Sequence, residues 1–210
     1  GHVRIYSFND ISSTWIQLGA DIDGEAVSDR SGTSVSLSSD GNIVAIGAPY
    51  NDENGTNAGH VRIYSFDDIS STWNQLGTDI DGEAVNDFSG YSSLSSDGRT
   101  VAIGARYNDG NGANAGHVRI YSFDDLNGTW NQLGTEIDGE AAGDESGYSV
   151  SLSSDGRTVA IGAYFNNGNG LDAGHVRIYS YDDINGTWDQ LGADIDGEAV
   201  GDRSGRSVSL

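Results

Sequence analysis

Carboxylates recur along this chain at a spacing that could do chemistry. Asp21, Asp23, Glu25 and Asp29 fall within the stretch "DIDGEAVSDRSG". The pattern returns as Asp79, Asp81, Glu83 and Asp87, as Glu136, Asp138, Glu140 and Asp144, and as Asp194, Asp196, Glu198 and Asp202. Acids grouped in a glycine turn can surround calcium, a hard cation that takes roughly 6–8 oxygens. Paired carboxylates can instead act as acid and base on a glycosidic bond, if their environments drive their pKa values apart. The plain alternative is a solvated acidic turn, because Asp, Asn and Gly tolerate turn geometry. Four equivalent copies without a distinguishing neighbour argue against a single catalytic site, so the expectation is that the protein is not an enzyme.

The elements that position these acids form a tandem repeat. "GHVRIYS" starts at residues 1, 59, 116 and 174, at offsets of 58, 57 and 58, and Trp15, Trp73, Trp130 and Trp188 keep step. Each unit reads as four short strands. In the first, these are "HVRIYSF" (2–8), "TWIQLGADI" (14–22), "TSVSLS" (33–38) and "NIVAIGAP" (42–49), with "SDG" hairpin signals between the last two. A repeated four-stranded unit of this length fits an all-β propeller blade of about 58 residues better than a shorter solenoid rung. The expected organisation is one propeller region over 1–210. It holds two strands of an incomplete blade (1–30), blades at 31–88, 89–145 and 146–203, and one strand of a further incomplete blade (204–210).

These repeats resemble the FG-GAP repeats of the integrin α-subunit propeller. The resemblance rests on Ser31-Gly32, "TSVSLS", "NIVAIGAP", "GHVRIYSF" and "TWNQLG" in that order, and it covers every unit. It implies blades built from "TSVSLS" innermost to "TWNQLG" outermost. It also implies an adhesion role outside the cell, as an extracellular or cell-surface protein. Gly-Ala-Pro becomes Gly104-Ala105-Arg106 and Gly162-Ala163-Tyr164 in the later copies. The family's calcium loop shrinks to "SSDG", which leaves Asp40, Asp97 and Asp155 alone. One carboxylate cannot satisfy calcium.

In a meander, the "DIDGEA" stretch and the Asn-rich loops (50–59, 107–116, 165–174) emerge on one face. That places a candidate calcium site there, with Asp52 and Asp109 contributing beside the acids named above. His2, His60, His117 and His175 open the third strand and read as structural, and the arginines two positions on read as partners for carboxylates. Asn54, Asn127 and Asn185 begin glycosylation sequons.

Composition narrows the partners. The formal net charge is −22, all ten basic residues are Arg, and cysteine is absent. Such a surface repels nucleic acid and anionic lipid, and Schiff-base, P-loop and thiol chemistry have no residues to use. No apolar run is long enough for membrane insertion. The expectation is a non-catalytic binding or adhesion module, calcium-binding, that meets a protein or glycan partner at its acidic loop face. A structural subunit of a cell-surface coat or filament, assembled through incomplete blade edges, is the second reading, and a carbohydrate-active propeller enzyme the third. The incomplete end blades are read as part of a longer chain or a self-associating assembly. One local irregularity is also expected: "SGYSSLSSDG" (89–98) is one residue short, which calls for compensation near Ser92–Ser93.

Overall fold

A computed structural model describes Gly1–Leu210 as β-strands and turns without a helix. The first unit holds β1 (His2–Val3), β2 (Tyr6–Asn9), β3 (Thr14–Gln17) and β4 (Ile22–Asp23). The first whole blade holds β5 (Ser34–Leu37), β6 (Ile43–Ala48), β7 (His60–Asp67), β8 (Thr72–Gln75) and β9 (Ile80–Asp81). The second holds β10 (Ser89–Leu94), β11 (Thr100–Ala105), β12 (His117–Asp124), β13 (Thr129–Gln132) and β14 (Ile137–Asp138). The third holds β15 (Ser149–Leu152), β16 (Thr158–Ala163), β17 (His175–Asp182), β18 (Thr187–Gln190) and β19 (Ile195–Asp196). Each whole blade is an antiparallel meander of four strands, and the sheets do not close into a ring. This is the expected all-β propeller architecture.

One feature was not legible in the sequence. The outermost run breaks in two, and its second piece returns to the start of the third strand, pairing His60 with Asp81, His117 with Asp138 and His175 with Asp196. Between the two pieces, the Leu76 amide donates to the Ile63 carbonyl at 2.7 Å and the Leu76 side chain packs against the interblade core. The acids of each "DIDGEA" stretch are thereby folded back over a histidine.

The core lies between blades rather than within one. Ile43, Ala45, Val61 and Ile63 of the first whole blade pack on Leu94, Val101, Ile103 and Tyr121 of the second. Ala102, Val118 and Ile120 pack in turn on Leu152, Val159, Ile161 and Tyr179 of the third. A strand sandwiched by neighbours must be apolar on both faces, and all six residues of β6 are buried. Close approach needs glycine: a Cβ on Gly47, Gly104 or Gly162 would lie 1.8–1.9 Å from a carbonyl oxygen of the following unit.

Polar bonds repeat across every interface. Ser36, Ser93 and Ser151 Oγ accept from the Leu94, Leu152 and Leu210 amides at 3.0 Å. The Trp73, Trp130 and Trp188 indoles donate to the Leu18, Leu76 and Leu133 carbonyls at 2.8 Å. In the "SDG" hairpins, Asp40 and Asp155 accept bonds from Ser38 and Ser153, which hold both carboxyls below their ordinary range.

The one-residue deletion is compensated upstream of the expected place. Ser92, Ser93 and Leu94 sit in the same register as Val35, Ser36 and Leu37. The shift falls between Ser89 and Tyr91, at Gly90 with φ of 155°. The turn residue present as Thr33 and Tyr148 elsewhere is the one dispensed with, because inner-strand register is fixed by packing and the turn is not. No helix is long and apolar enough to cross a membrane.

Candidate functional site

The loop face carries two distinct groups of side chains. The outer group is the repeated acids. Asp29, Asp87 and Asp144 are buried and brace their own loops: each accepts from a backbone amide three residues back and from Asn51, Asn108 or Asn166. Asp202 accepts from the Ala199 amide. Asp52 and Asp109 accept from the Asn57 and Asn114 amides at 2.7 Å. Asp21, Asp79 and Asp194 accept from a glutamine four residues earlier, and Glu136 does so at 3.5 Å. Asp81 and Asp138 are half-buried at the refolded strands. Burial, then the neighbouring Asp79 or Glu136, raises their carboxyl pKa values. Asp23 and Asp196 are exposed at the equivalent positions.

Glutamates 25, 83 and 140 reach across to the next blade. Glu25 pairs with Arg62 at 3.5 Å, Glu83 with Arg119 at 3.4 Å and Glu140 with Arg177 at 3.7 Å. Each of these arginines also donates to a carbonyl of the preceding unit, at Asp23, Asp81 or Asp138. Glu198 has no following blade here and is exposed.

Two sets converge closely enough to hold a metal ion: Glu25, Glu53, His60 and Asp79, and Glu140, His175 and Asp194. The second blade has Gly110 at the position of Glu53 and Glu136 at that of Asp79, and forms no such set. The histidines are not satisfied as expected. His60 Nδ1, His117 Nε2 and both ring nitrogens of His175 are buried without a hydrogen-bond partner. Burial, then Arg119, pushes His117 down to about 4, and burial, then Arg177, lowers His175.

The inner group was missed as a site. Among the differences between near-identical copies, two positions change chemistry outright: Arg30, Phe88, Glu145 and Arg203 after the bracing Asp, and Pro49, Arg106 and Tyr164 after Gly-Ala. These positions cluster beside the innermost strands at the mouth of the propeller axis. Residues 30, 88, 145 and 203 all have φ between 51° and 56°, a strained left-handed backbone that costs on the order of 1 kcal/mol for a non-glycine residue. The Phe88, Glu145 and Arg203 amides are held by the Asn57, Asn114 and Asp172 carbonyls.

Glu145 is the acid of this group and is only 8% exposed. It accepts a hydrogen bond from the Tyr164 hydroxyl at 2.8 Å and lies 3.9 Å from the Arg106 guanidinium. Burial raises its carboxyl pKa against those two partners, and burial together with Glu145 raises Tyr164. Aromatic rings surround it. Tyr91 and Tyr148 stack at 5.5 Å, Tyr148 meets Tyr164 at 4.3 Å, and Arg106 lies over Tyr91, Tyr107 and Tyr148. A groove of about 210 Å³ runs from Tyr91 and Tyr148 along Ser92, Ser149 and Val150. The signal was available in the sequence as the change from Pro49 to Arg106 and Tyr164, which was read there as drift from a family pattern.

Residues 20–64 and 136–179 match the FG-GAP repeat family, so the chain carries FG-GAP repeats. No curated protein matches the chain. Among solved structures, the "putative 6-phosphogluconolactonase" of Bacteroides uniformis ATCC 8492 aligns with a TM-score of 0.63 and 14% identity, over 93% of this chain and 48% of its own. That of Bacteroides fragilis NCTC 9343 aligns with a TM-score of 0.60 and 16% identity, over 92% of this chain and 49% of its own. The chain thus spans about half the length of the structures it matches, and at this identity the likeness is one of fold. It corrects the expectation of a non-catalytic adhesion module. The propellers matched carry an enzyme's name, and beside the four equivalent acidic stretches, read as having no distinguishing neighbour, Glu145 is an acid that one unit alone carries.

Proposed function

We propose that this chain is part of a carbohydrate-active hydrolase of the sugar-lactone type, working at the axis mouth. The observation that carries the reading is Glu145: a single-copy, buried acid with a raised pKa, set among aromatic rings and one arginine. A carboxylate of raised basicity is a better general base near neutral pH than an ordinary one. In the step proposed, a water attacks the ring carbonyl, Glu145 accepts its proton, and the Arg106 guanidinium stabilises the developing alkoxide. The acyl C–O bond then breaks as Glu145 returns that proton to the leaving ring oxygen, which gives the open hydroxy acid and restores the carboxylate. Tyr91 and Tyr148 offer flat faces for a sugar ring, and Tyr164 fixes the carboxylate. A cation held by the outer clusters, calcium or another, takes no part in this step.

A glycan-derived small molecule is the partner this reading implies. An extracellular location belongs to the proposal, supported by the exposed sequon residues Asn127 and Asn185. The test is hydrolysis of a panel of gluconolactones by the wild type and by Glu145→Gln. Saturable hydrolysis above the spontaneous rate, reduced about a hundredfold or more in the variant, supports the proposal; equal rates for both proteins overturn it.

A further inference from the structure

We infer that Glu25, Glu53, His60 and Asp79 form a transition-metal site of the zinc class, separate from the axis mouth, that ties the first unit to the first whole blade. The ligand atoms of all four side chains lie within 4.8 Å of one another. Glu25 comes from the stretch before the blade and the other three from within it, so an ion there would bridge the interface.

The acids alone would carry little, since exposed carboxylates gather for many reasons. His60 supplies the independent observation. It is 1% exposed, its Nδ1 has no hydrogen-bond partner, and that atom points between Asp79 Oδ2 at 3.5 Å and Glu25 Oε2 at 3.7 Å. An unmade hydrogen bond on a buried nitrogen costs about 1–3 kcal/mol, and a metal–nitrogen bond is one way to recover it. Separations of 3.5 Å and above between prospective ligands suit atoms arranged around a common ion, which zinc holds at roughly 2.0–2.2 Å.

The donor set also chooses the ion. Calcium and magnesium take oxygen ligands, whereas a buried imidazole beside carboxylates suits zinc and its first-row neighbours. The three blades form a natural series. The third keeps three groups, Glu140, His175 and Asp194, with Gly168 in place of Glu53, and the second has no converging set. Gly168 is not in a left-handed conformation, and the nearest obstacle to a Cβ is the Asn166 side-chain oxygen at 2.9 Å. In the first whole blade the equivalent Asn51 oxygen accepts a hydrogen bond from the Glu53 backbone amide at 2.9 Å, as Asn166 does from Gly168 at 2.8 Å, so a glutamate is accommodated there.

Titration calorimetry of the metal-stripped chain with zinc chloride and with calcium chloride tests the site, backed by thermal melts. The expected result is one tight zinc site, at least tenfold weaker calcium uptake, and a melt raised by zinc. Glu53→Gln, an exposed substitution, should weaken that site at least tenfold and leave the metal-free melt unchanged. Gly168→Glu should create a second tight site. Absence of zinc binding, a preference for calcium, or zinc binding indifferent to Glu53→Gln would overturn the assignment. None of these readouts depends on lactone hydrolysis.

Discussion

Substituting Gly104 by alanine tests the claim that the blades are held by backbone approach across their interfaces. The new Cβ would sit 1.9 Å from the Gly147 carbonyl oxygen of the next blade, and neither atom belongs to a flexible side chain. Restoring an ordinary 3.4 Å contact requires the blades to part locally by about 1.5 Å. A gap of roughly 0.5–1 Å already forfeits a quarter to a half of a dispersion contact. The affected seam includes Ala102, Val118, Ile120 and Ile161, each packed through many such contacts. A loss of at least about 3 kcal/mol follows, at the upper end of overpacking costs. Gly128→Ala is the control: its φ is 68° and no atom lies within 4 Å of the added Cβ, so only the backbone penalty of about 1 kcal/mol applies. Urea unfolding followed by tryptophan fluorescence measures both. A Gly104→Ala chain within 1 kcal/mol of the wild type would refute the packing argument.

Other consequences can be checked beside it. Trp130→Phe removes the indole bond to the Leu76 carbonyl while keeping most of the ring, and should cost about 0.5–1.5 kcal/mol in the same unfolding assay. Asp144→Ala leaves the Ala141 amide and the buried Asn166 amide without their acceptor and should cost about 2–3 kcal/mol, an effect added calcium does not reverse. Because Asp40 and Asp155 titrate below the ordinary 3.8 when folded, the stability they contribute is present above that value and drains away as pH falls through their lowered pKa values; an acid melt series should show Asp155→Asn with a shallower loss. Glu145 has the opposite sign: its acid limb in a lactone-hydrolysis pH profile should lie above 4.5. Tyr164→Phe, which removes a bond favouring the carboxylate, should move that limb higher still.

The legibility of this chain follows from what repetition preserves. The period, the "SDG" hairpin signals and the two-sided apolar strands such as "NIVAIGA" point to stacked blades, because a strand apolar on both faces must be covered on both. The acids were legible as a group but not in their division of labour. Asp29, Asp87 and Asp144 point inward as loop braces, and the glutamates reach an arginine on the next blade; that depends on the outer strand breaking and folding back over His60, which no periodicity encodes. The axis mouth was obscured for the opposite reason. Attention to what recurs hides residues whose value lies in not recurring, and Glu145, Arg106 and Tyr164 each occur once at their place.

The central claim is that this unrepeated cluster is where a sugar-derived substrate sits. A crystal structure of the chain with a gluconolactam, a hydrolysis-resistant mimic of the lactone, tests it most directly. The account predicts the ring against Tyr91 and Tyr148, with its carbonyl oxygen within hydrogen-bond reach of Arg106 and its carbonyl carbon facing Glu145. A ligand seated among the outer acids, or no ligand at the axis mouth at saturating concentration, would contradict it.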